Sequence, residues 1–149
     1  MATNATDIID MIEKWFAKAP VLPANAKDVI VKITPFIALI FGILGIMGAL
    51  AGFGLLTAFA PLAVFGGMAG VSSYGGGFLA ALFWLASSAL MLIAFPGTQA
   101  RKLSGWNLLF WSELVNLVGA VVSISGIVSG IIGALIGFYL LFQIKSYYK

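Results

Sequence analysis

Residues 33–100 read ITPFIALIFGILGIMGALAGFGLLTAFAPLAVFGGMAGVSSYGGGFLAALFWLASSALMLIAFPGTQA, and this stretch contains no charged side chain. Lys32 precedes it, and Arg101 and Lys102 follow it. A soluble core does not need so long an uncharged stretch, whereas the hydrocarbon of a bilayer disfavours charged side chains. A second apolar block, residues 103–144, carries one charge, that of Glu113. The sequence therefore predicts an integral membrane protein of the all-α class.

The composition argues against several other classes of protein. Of the 149 residues, 62% are hydrophobic and 9% are charged, whereas about a quarter of the residues of soluble domains are charged. The net charge of +3 includes no basic run, so nucleic acid is not an expected partner. Cysteine and histidine are absent, so no metal site and no cofactor are expected. No base is spaced to activate a serine, and the sequence does not indicate an enzyme.

The N-terminal region, residues 1–24, is predicted to form a short amphipathic helix and a connector stiffened by Pro20 and Pro23. Asn4, with Asp7 three residues on, can cap the start of this helix. Apolar and charged side chains separate onto two faces at helical spacing, the apolar face carrying Ile8, Met11, Ile12 and Trp15. Such a helix can lie in the membrane interface, cap the bundle from the cytoplasmic side, or pack in water on its own protein.

Four spans are predicted within a transmembrane domain of residues 25–149, namely about 33–59, 78–95, 105–122 and 127–144. Asn25 is the expected cap of the first helix, and Pro61 and Pro96 are expected to end the first two spans. Residues 61–77, which are rich in glycine, are predicted to form a loop or a re-entrant segment. The last block is too long for one span, so a turn is expected near residues 123–126.

The positions of the basic residues predict the orientation. With four spans, all the lysines and the arginine fall on one side of the membrane, where they act as anchors: Lys14, Lys18, Lys27, Lys32, Arg101, Lys102, Lys145 and Lys149. Cytoplasmic loops carry an excess of basic residues. Both termini of this multi-pass protein are therefore expected on the cytoplasmic side of the cell membrane.

Small residues recur at alternating spacings of four and three, which places them on single helical faces. One such stripe, in the first span, comprises Ala38, Gly42, Gly45, Ala49 and Gly52. Another crosses the last block and comprises Ser112, Asn116, Gly119, Ser123, Gly126, Gly130, Gly133 and Gly137. Stripes of this kind let helices approach closely in lipid. The stripe in the last block can alternatively line a polar path, with its serines and Asn116 facing a solute.

Glu113 is the one acidic residue inside an apolar block, and intramembrane ionisable residues are candidates for function. Three roles are open to it. It can exchange a proton or bind a cation, or it can pair with Arg101, Lys102 or a basic residue of the N-terminal segment. It can also lie hydrated in the membrane interface. Together with Ser112, Asn116 and Asn107, it forms the candidate polar path or ion site.

The whole chain resembles small four-helix bacterial membrane proteins. Glu113 and the glycine stripes are similar to those of proteolipid subunits of rotary ATPases, although here Glu113 is expected close to the basic turn and not mid-helix opposite a glycine. Phe65, Gly66 and Gly67 resemble the Phe-Gly-Gly motif of chromate-transporter-like permeases. These patterns favour a small oligomeric channel or transporter. The alternatives are a structural or accessory protein that packs on itself or on another membrane protein, and a holin-like permeabiliser.

Overall fold

The computed structural model of the chain describes residues 5–123 and 126–149, and within these residues its regular elements are all helices. The elements are α1 (Ala5–Phe16), α2 (Ala24–Phe65), α3 (Gly67–Gln99), α4 (Leu103–Val122), α5 (Ile127–Ile144) and a short 3-10 helix, η1 (Lys145–Tyr147). Helices α2 and α3 form one hairpin, α4 and α5 form a second, and α3 packs on α4 to join them. The predicted all-α class and the short first helix are confirmed.

Helices α2, α3, α4, and α5 continued through η1, are long and apolar enough to cross a membrane. Their outer surface carries large apolar side chains, and Phe41, Met47 and Leu135 each leave more than half of their surface uncovered. Such a surface is unfavourable in water, whereas acyl chains solvate it well. The chain is thus an integral membrane protein with four candidate spans.

The prediction of a loop or re-entrant segment over residues 61–77 is wrong, because these residues are helical apart from a turn at Gly66. Helix α2 continues through Pro61 to Phe65, and α3 starts at Gly67. Pro61 does not end the helix because an apolar segment in lipid has few other ways to satisfy its backbone groups. At the turn, Gly67 has a φ of +62°, a conformation that a side chain would strain.

The hairpin of α2 and α3 is longer than a bilayer requires. Helix α2 is about 63 Å long and α3 about 50 Å, against about 30 Å of hydrocarbon. Gly77 and Ala80 of α3 lie level with Ser123 at the end of α4, since all three line the same cavities. The tip at Gly67 is ten residues further on, so it projects about 15 Å beyond the end of α4.

The bounds of the second hairpin match the predicted spans closely. Helix α4 ends at Val122 and α5 runs from Ile127 to Ile144, as predicted, although α4 begins two residues earlier than expected, at Leu103. The predicted turn near residues 123–126 includes Ile124 and Ser125, which lie outside the described residues. Pro96 does not stop the second span, because α3 continues to Gln99.

Helix α1 packs across the end of the bundle where α5 finishes. Ile9 is buried, and Phe16 stacks on Phe142 of α5 with ring centroids 5.8 Å apart. Met11 and Trp15, which were expected on the same apolar face, are exposed at the edge of the helix. Of the three settings expected for α1, the structure shows it packed on the bundle, with an apolar edge left free for the interface.

The structure tests one of the two predicted helix caps. Asn4 lies outside the described residues. The expectation that Asn25 caps the first span is wrong, because α2 already begins at Ala24 and no side chain caps it. Pro23 occupies the cap position with its φ at −56°. The ring fixes that angle and starts the helix without a capping side chain.

We call the end of the bundle where α1 packs the inner end and the opposite end, with the α2–α3 turn, the outer end. The core of the inner end is aromatic. Trp106 and Phe110 are fully buried and stack with centroids 5.8 Å apart, and Phe138 and Phe142 of α5 pack against Phe110. The Trp106 indole Nε1 donates a hydrogen bond to the Leu141 carbonyl oxygen at 2.8 Å. This cluster fills the space between α4 and α5 in the inner half of the bundle.

Candidate functional site

Glu113 lies near the middle of α4. It is the eleventh of the twenty residues of α4, about 15 Å from the start of that helix. This corrects the expectation that it lies close to the basic turn and not opposite a glycine. Its carboxylate rests on Gly137 of α5, because a Cβ built on that glycine would come within 2.7 Å of the Glu113 Cδ. The missing side chain at residue 137 is what gives the carboxylate room.

Glu113 has no partner for its charge in the part of the chain that the structure describes. The ion pair found there joins Lys145 to Glu13 at the inner end, and Glu113 neither donates nor accepts a hydrogen bond in the described residues. Arg101 and Lys102 lie before the first residue of α4, too far along the helix to reach its carboxylate. The side chain is half-buried. It can therefore meet a proton, a cation or another chain from outside the bundle.

The other predicted polar residues of α4 do not converge on Glu113. Ser112 is buried, and its hydroxyl donates to the Ser87 carbonyl oxygen of α3 at 2.8 Å, so it joins two helices. Asn116 faces a cavity and makes no hydrogen bond in the described residues. Asn107 is half-buried nearer the inner end and does not line that cavity. The four residues thus point to different surroundings and do not form one continuous polar path within a single bundle.

A cavity of about 830 Å³ opens among α2, α3, α4 and α5 in the outer half of the bundle. Glycine and alanine form much of its lining, and Leu55, Leu56, Phe59 and Trp84 contribute the bulky side chains. The cavity exists because α5 packs mainly on α4 and touches α2 little. Its size and its apolar lining with a few polar groups are typical of sites for small ligands.

The cavity does not continue toward the inner end of the bundle. The next layer is closed where Gly45 of α2 meets the Ser88 side chain of α3, and where Ser112 bonds to Ser87. Below that layer lies the aromatic core around Trp106 and Phe110. A second cavity of about 600 Å³, lined by Ser72, Ser73 and Ser123 among others, adjoins the first at the outer end. These two cavities therefore lie together in the outer half of the bundle.

The predicted packing stripe of α2 faces α3 along part of its length. Ala38 and Ala49 are buried, a Cβ at Gly42 would come within 2.6 Å of Leu92, and Gly45 meets Ser88. Gly52, the last member, has open space around it and lines the cavity.

On α5, the members of the other stripe have different neighbours. Gly130 lies against Ala120 of α4, and Gly137 lies against Glu113. Gly126 adjoins the Ser123 hydroxyl at the turn, whereas Gly133 has nothing near it.

The basic residues gather at one end of the bundle. Lys145 pairs with Glu13 of α1, and its Nζ lies 5.4 Å from the centroid of the Trp106 ring. Lys27 is half-buried, and the remaining six basic side chains are exposed, namely Lys14, Lys18, Lys32, Arg101, Lys102 and Lys149. All eight belong to α1 and the connector after it, to the first turns of α2, to the turn between α3 and α4, or to the tail.

Two contacts at this end are not evident in the sequence. The connector after α1 docks on α5, since Tyr139 Oη donates to the Pro20 carbonyl oxygen at 2.7 Å and the Leu22 amide donates to Gln143 Oε1. The tail pairs with the turn between α3 and α4, because the Leu103 amide donates to the Lys149 carbonyl oxygen at 2.9 Å. Each of these bonds has a backbone group at one end or at both, and a backbone partner leaves no signature in residue type.

Comparison with known proteins finds no matching family model, no matching curated protein and no matching solved structure. The resemblances to four-helix bacterial membrane proteins, to proteolipid subunits and to chromate-transporter-like permeases therefore have no support beyond the residues that suggested them. Within the described residues, no group of three or more acidic side chains could hold a metal ion. What the structure itself shows is an integral membrane protein with four candidate spans, a carboxylate midway along α4 and a cavity in the outer half of the bundle.

Proposed function

We propose that this protein is a small membrane transport protein that works as a homo-oligomer and that Glu113 binds and releases the transported proton or cation. The observation that carries the proposal is the position of Glu113, at mid-depth on α4, over Gly137 and without a charged partner among the described residues. Ionisable side chains inside a membrane are costly, and they mark ion and proton routes.

The chemistry of the site suits reversible binding. A protonated carboxyl is neutral and can lie in a dry environment, whereas the ionised form needs a cation or water beside it. Gly137 contributes no side chain to cover the carboxylate, and neither a lysine nor an arginine neutralises it permanently. Glu113 can therefore alternate between a neutral and an ion-binding state without breaking a structural ion pair.

An oligomer supplies what one bundle lacks. The inner half of the bundle is filled by the aromatic core, so a solute has no continuous route through a single copy. Glu113 lies at the α4–α5 contact and is half-exposed. A second copy packed beside this contact would enclose the carboxylate between subunits, where a route can run along the surface of the bundle.

The test is flux into liposomes that contain the purified protein. Under an imposed pH or cation gradient, the wild-type protein is expected to carry flux above that of empty liposomes, and Glu113→Gln is expected to reduce the flux to background. Glu113→Asp keeps the charge and should retain part of the flux. Gly137→Ala, which crowds the carboxylate, should lower it, whereas Gly133→Ala on the same helix has open space and serves as the control.

Native mass spectrometry in nanodiscs shows whether each variant still forms the wild-type oligomer, so that loss of flux is not mistaken for loss of assembly. Wild-type flux equal to that of empty liposomes under every gradient would contradict the proposal. That result would favour the other candidate, an accessory protein that packs on a membrane partner, which the solid inner half of the bundle also suits.

A further inference from the structure

The outer cavity, which lies among the four long helices, has the size and the lining of a ligand site. It is bounded by α2 and α5, two helices that touch each other little, as well as by α3 and α4. Ser123 and Gly126 border it at the end of α4, and Asn116 borders it about 10 Å deeper. A volume of about 830 Å³ is within the range of small-ligand sites, and an open cavity at this depth is filled by lipid or by protein.

The lining determines what kind of head group the cavity accepts. None of the described lining residues carries a charge, so a charged head group would be buried without compensation. The Ser123 and Ser129 hydroxyls already donate to the Ala120 and Gly126 carbonyl oxygens. Their oxygens can still accept a hydrogen bond, so they favour a ligand that donates one there.

Asn116 indicates a second polar group that the ligand should carry. Its amide lines the deeper part of the cavity and has no hydrogen-bond partner in the described part of the chain. The amide nitrogen offers two donors, and neither is used within the described residues. A ligand with a carbonyl oxygen at this depth would accept from it. The deeper polar group of the ligand is therefore an acceptor, and the outer one is a donor.

We propose that the cavity binds a neutral glycerolipid with a free hydroxyl, of the mono- or diacylglycerol class. Its hydroxyl donates to Ser123 or Ser129 near the membrane surface, and an ester carbonyl accepts from Asn116 below. The acyl chain packs on Leu55, Phe59 and Trp84 and leaves between α2 and α5. The site is separate from the carboxylate, because Glu113 faces α5 and does not line the cavity.

Two glycines of α2 give a matched pair of variants. Both Gly52 and Gly54 have open space where a side chain would be added, but only Gly52 lines the cavity. Gly52→Leu therefore fills the cavity, while Gly54→Leu adds the same volume to the same helix outside it. Asn116→Leu removes the amide at an exposed position, where loss of folding is not expected.

The experiment is photolabelling of the protein in nanodiscs with a diacylglycerol that carries a diazirine on its acyl chain, with the labelled residues mapped by mass spectrometry. Labelling is expected on α2 and α3 around the cavity, and unlabelled monoacylglycerol should compete where phosphatidic acid and phosphatidylcholine do not. Gly52→Leu should abolish this labelling and Gly54→Leu should leave it unchanged. Asn116→Leu should weaken competition by about tenfold, the effect of one well-placed hydrogen bond.

Three outcomes would overturn the proposal. Equal competition by charged lipids would show that the cavity does not discriminate between head groups. Labelling that is unchanged in Gly52→Leu would show that the lipid binds elsewhere. If Gly52→Leu instead dissociates the oligomer seen by native mass spectrometry, the occupant is a helix of a second copy. Circular dichroism of each variant shows that it is folded, and Asn116→Leu tests the site independently if Gly52→Leu does not fold.

Discussion

Trp106 lies at the centre of the aromatic core of the inner end. It is 0% exposed, it stacks on Phe110, and its indole nitrogen donates to the Leu141 carbonyl oxygen of α5. Trp106→Phe keeps a ring in place but removes the donor and part of the volume. We expect it to lower the free energy of unfolding by about 2 kcal/mol, measured by denaturation with SDS in mixed micelles and followed by circular dichroism.

The control for this variant is the ion pair at the same end of the molecule. Glu13 and Lys145 are partly exposed, and pairs at such positions contribute about 0–1 kcal/mol. Glu13→Gln should therefore cost less than Trp106→Phe. The reverse order would mean that the ion pair, and not the aromatic packing, holds the end of α5 in place.

At the level of helices, close approach between α2 and α3 depends on Gly45. A Cβ there would meet the Ser88 side chain, with the Ser88 Cβ at 2.9 Å, and Ser88 is itself buried. Gly45→Ala gains about 1 kcal/mol of helix propensity but overpacks the contact at a cost of about 1–3 kcal/mol. We expect it to be less stable than Gly54→Ala, which gains the same propensity in open space. Equal stability in SDS titration would show that the contact is not tight.

The spacing of small residues predicts the contact between α2 and α3. At the outer end, by contrast, residue type predicts a loop where the structure has helix. The 4-3 spacing of Gly42 and Gly45 placed them on one face, and both lie against α3. Pro61 and the glycines after it predict a break in the helix, which such residues do cause in water. In an apolar segment most backbone groups can find hydrogen-bond partners only within the helix. The interruption between α2 and α3 is therefore short and lies at Gly66 and Gly67.

The position of Glu113 was predictable in part only. Its presence in an apolar block was plain from the sequence, and its depth followed once the start of α4 was placed at Leu103. Its contact with Gly137 depends on how α5 is rotated against α4, and the 4-3 spacing of both helices leaves that rotation open. The cavity was likewise hidden, because it arises from the separation of α2 and α5, which no local pattern encodes.

On the scale of the whole molecule, the distribution of charge is the dominant feature. Eight basic residues lie at the inner end, together with α1, the turn between α3 and α4, and the tail that pairs with this turn. At the outer end, the tip of the hairpin exposes Phe65 by 88% and Met68 by 86% and carries no charge. The bundle therefore has one end suited to water and basic-residue anchoring, and one end suited to lipid or to a neighbouring protein.

This polarity predicts the topology, and the absence of cysteine makes it easy to test. A single cysteine introduced as Ala100→Cys or Lys149→Cys falls at the basic end, and one introduced as Met68→Cys falls at the tip. In intact cells, we expect a membrane-impermeant maleimide to leave the first two unlabelled until the membrane is opened, because basic loops stay in the cytoplasm. Labelling of Ala100→Cys without Lys149→Cys would contradict the bundle itself, since the tail and this turn pair through the Lys149 and Arg101 backbones. Labelling of both cysteines in intact cells would show that the orientation is the reverse of the one predicted. If Met68→Cys stays unlabelled before and after the membrane is opened, the tip is covered by lipid or by a second copy.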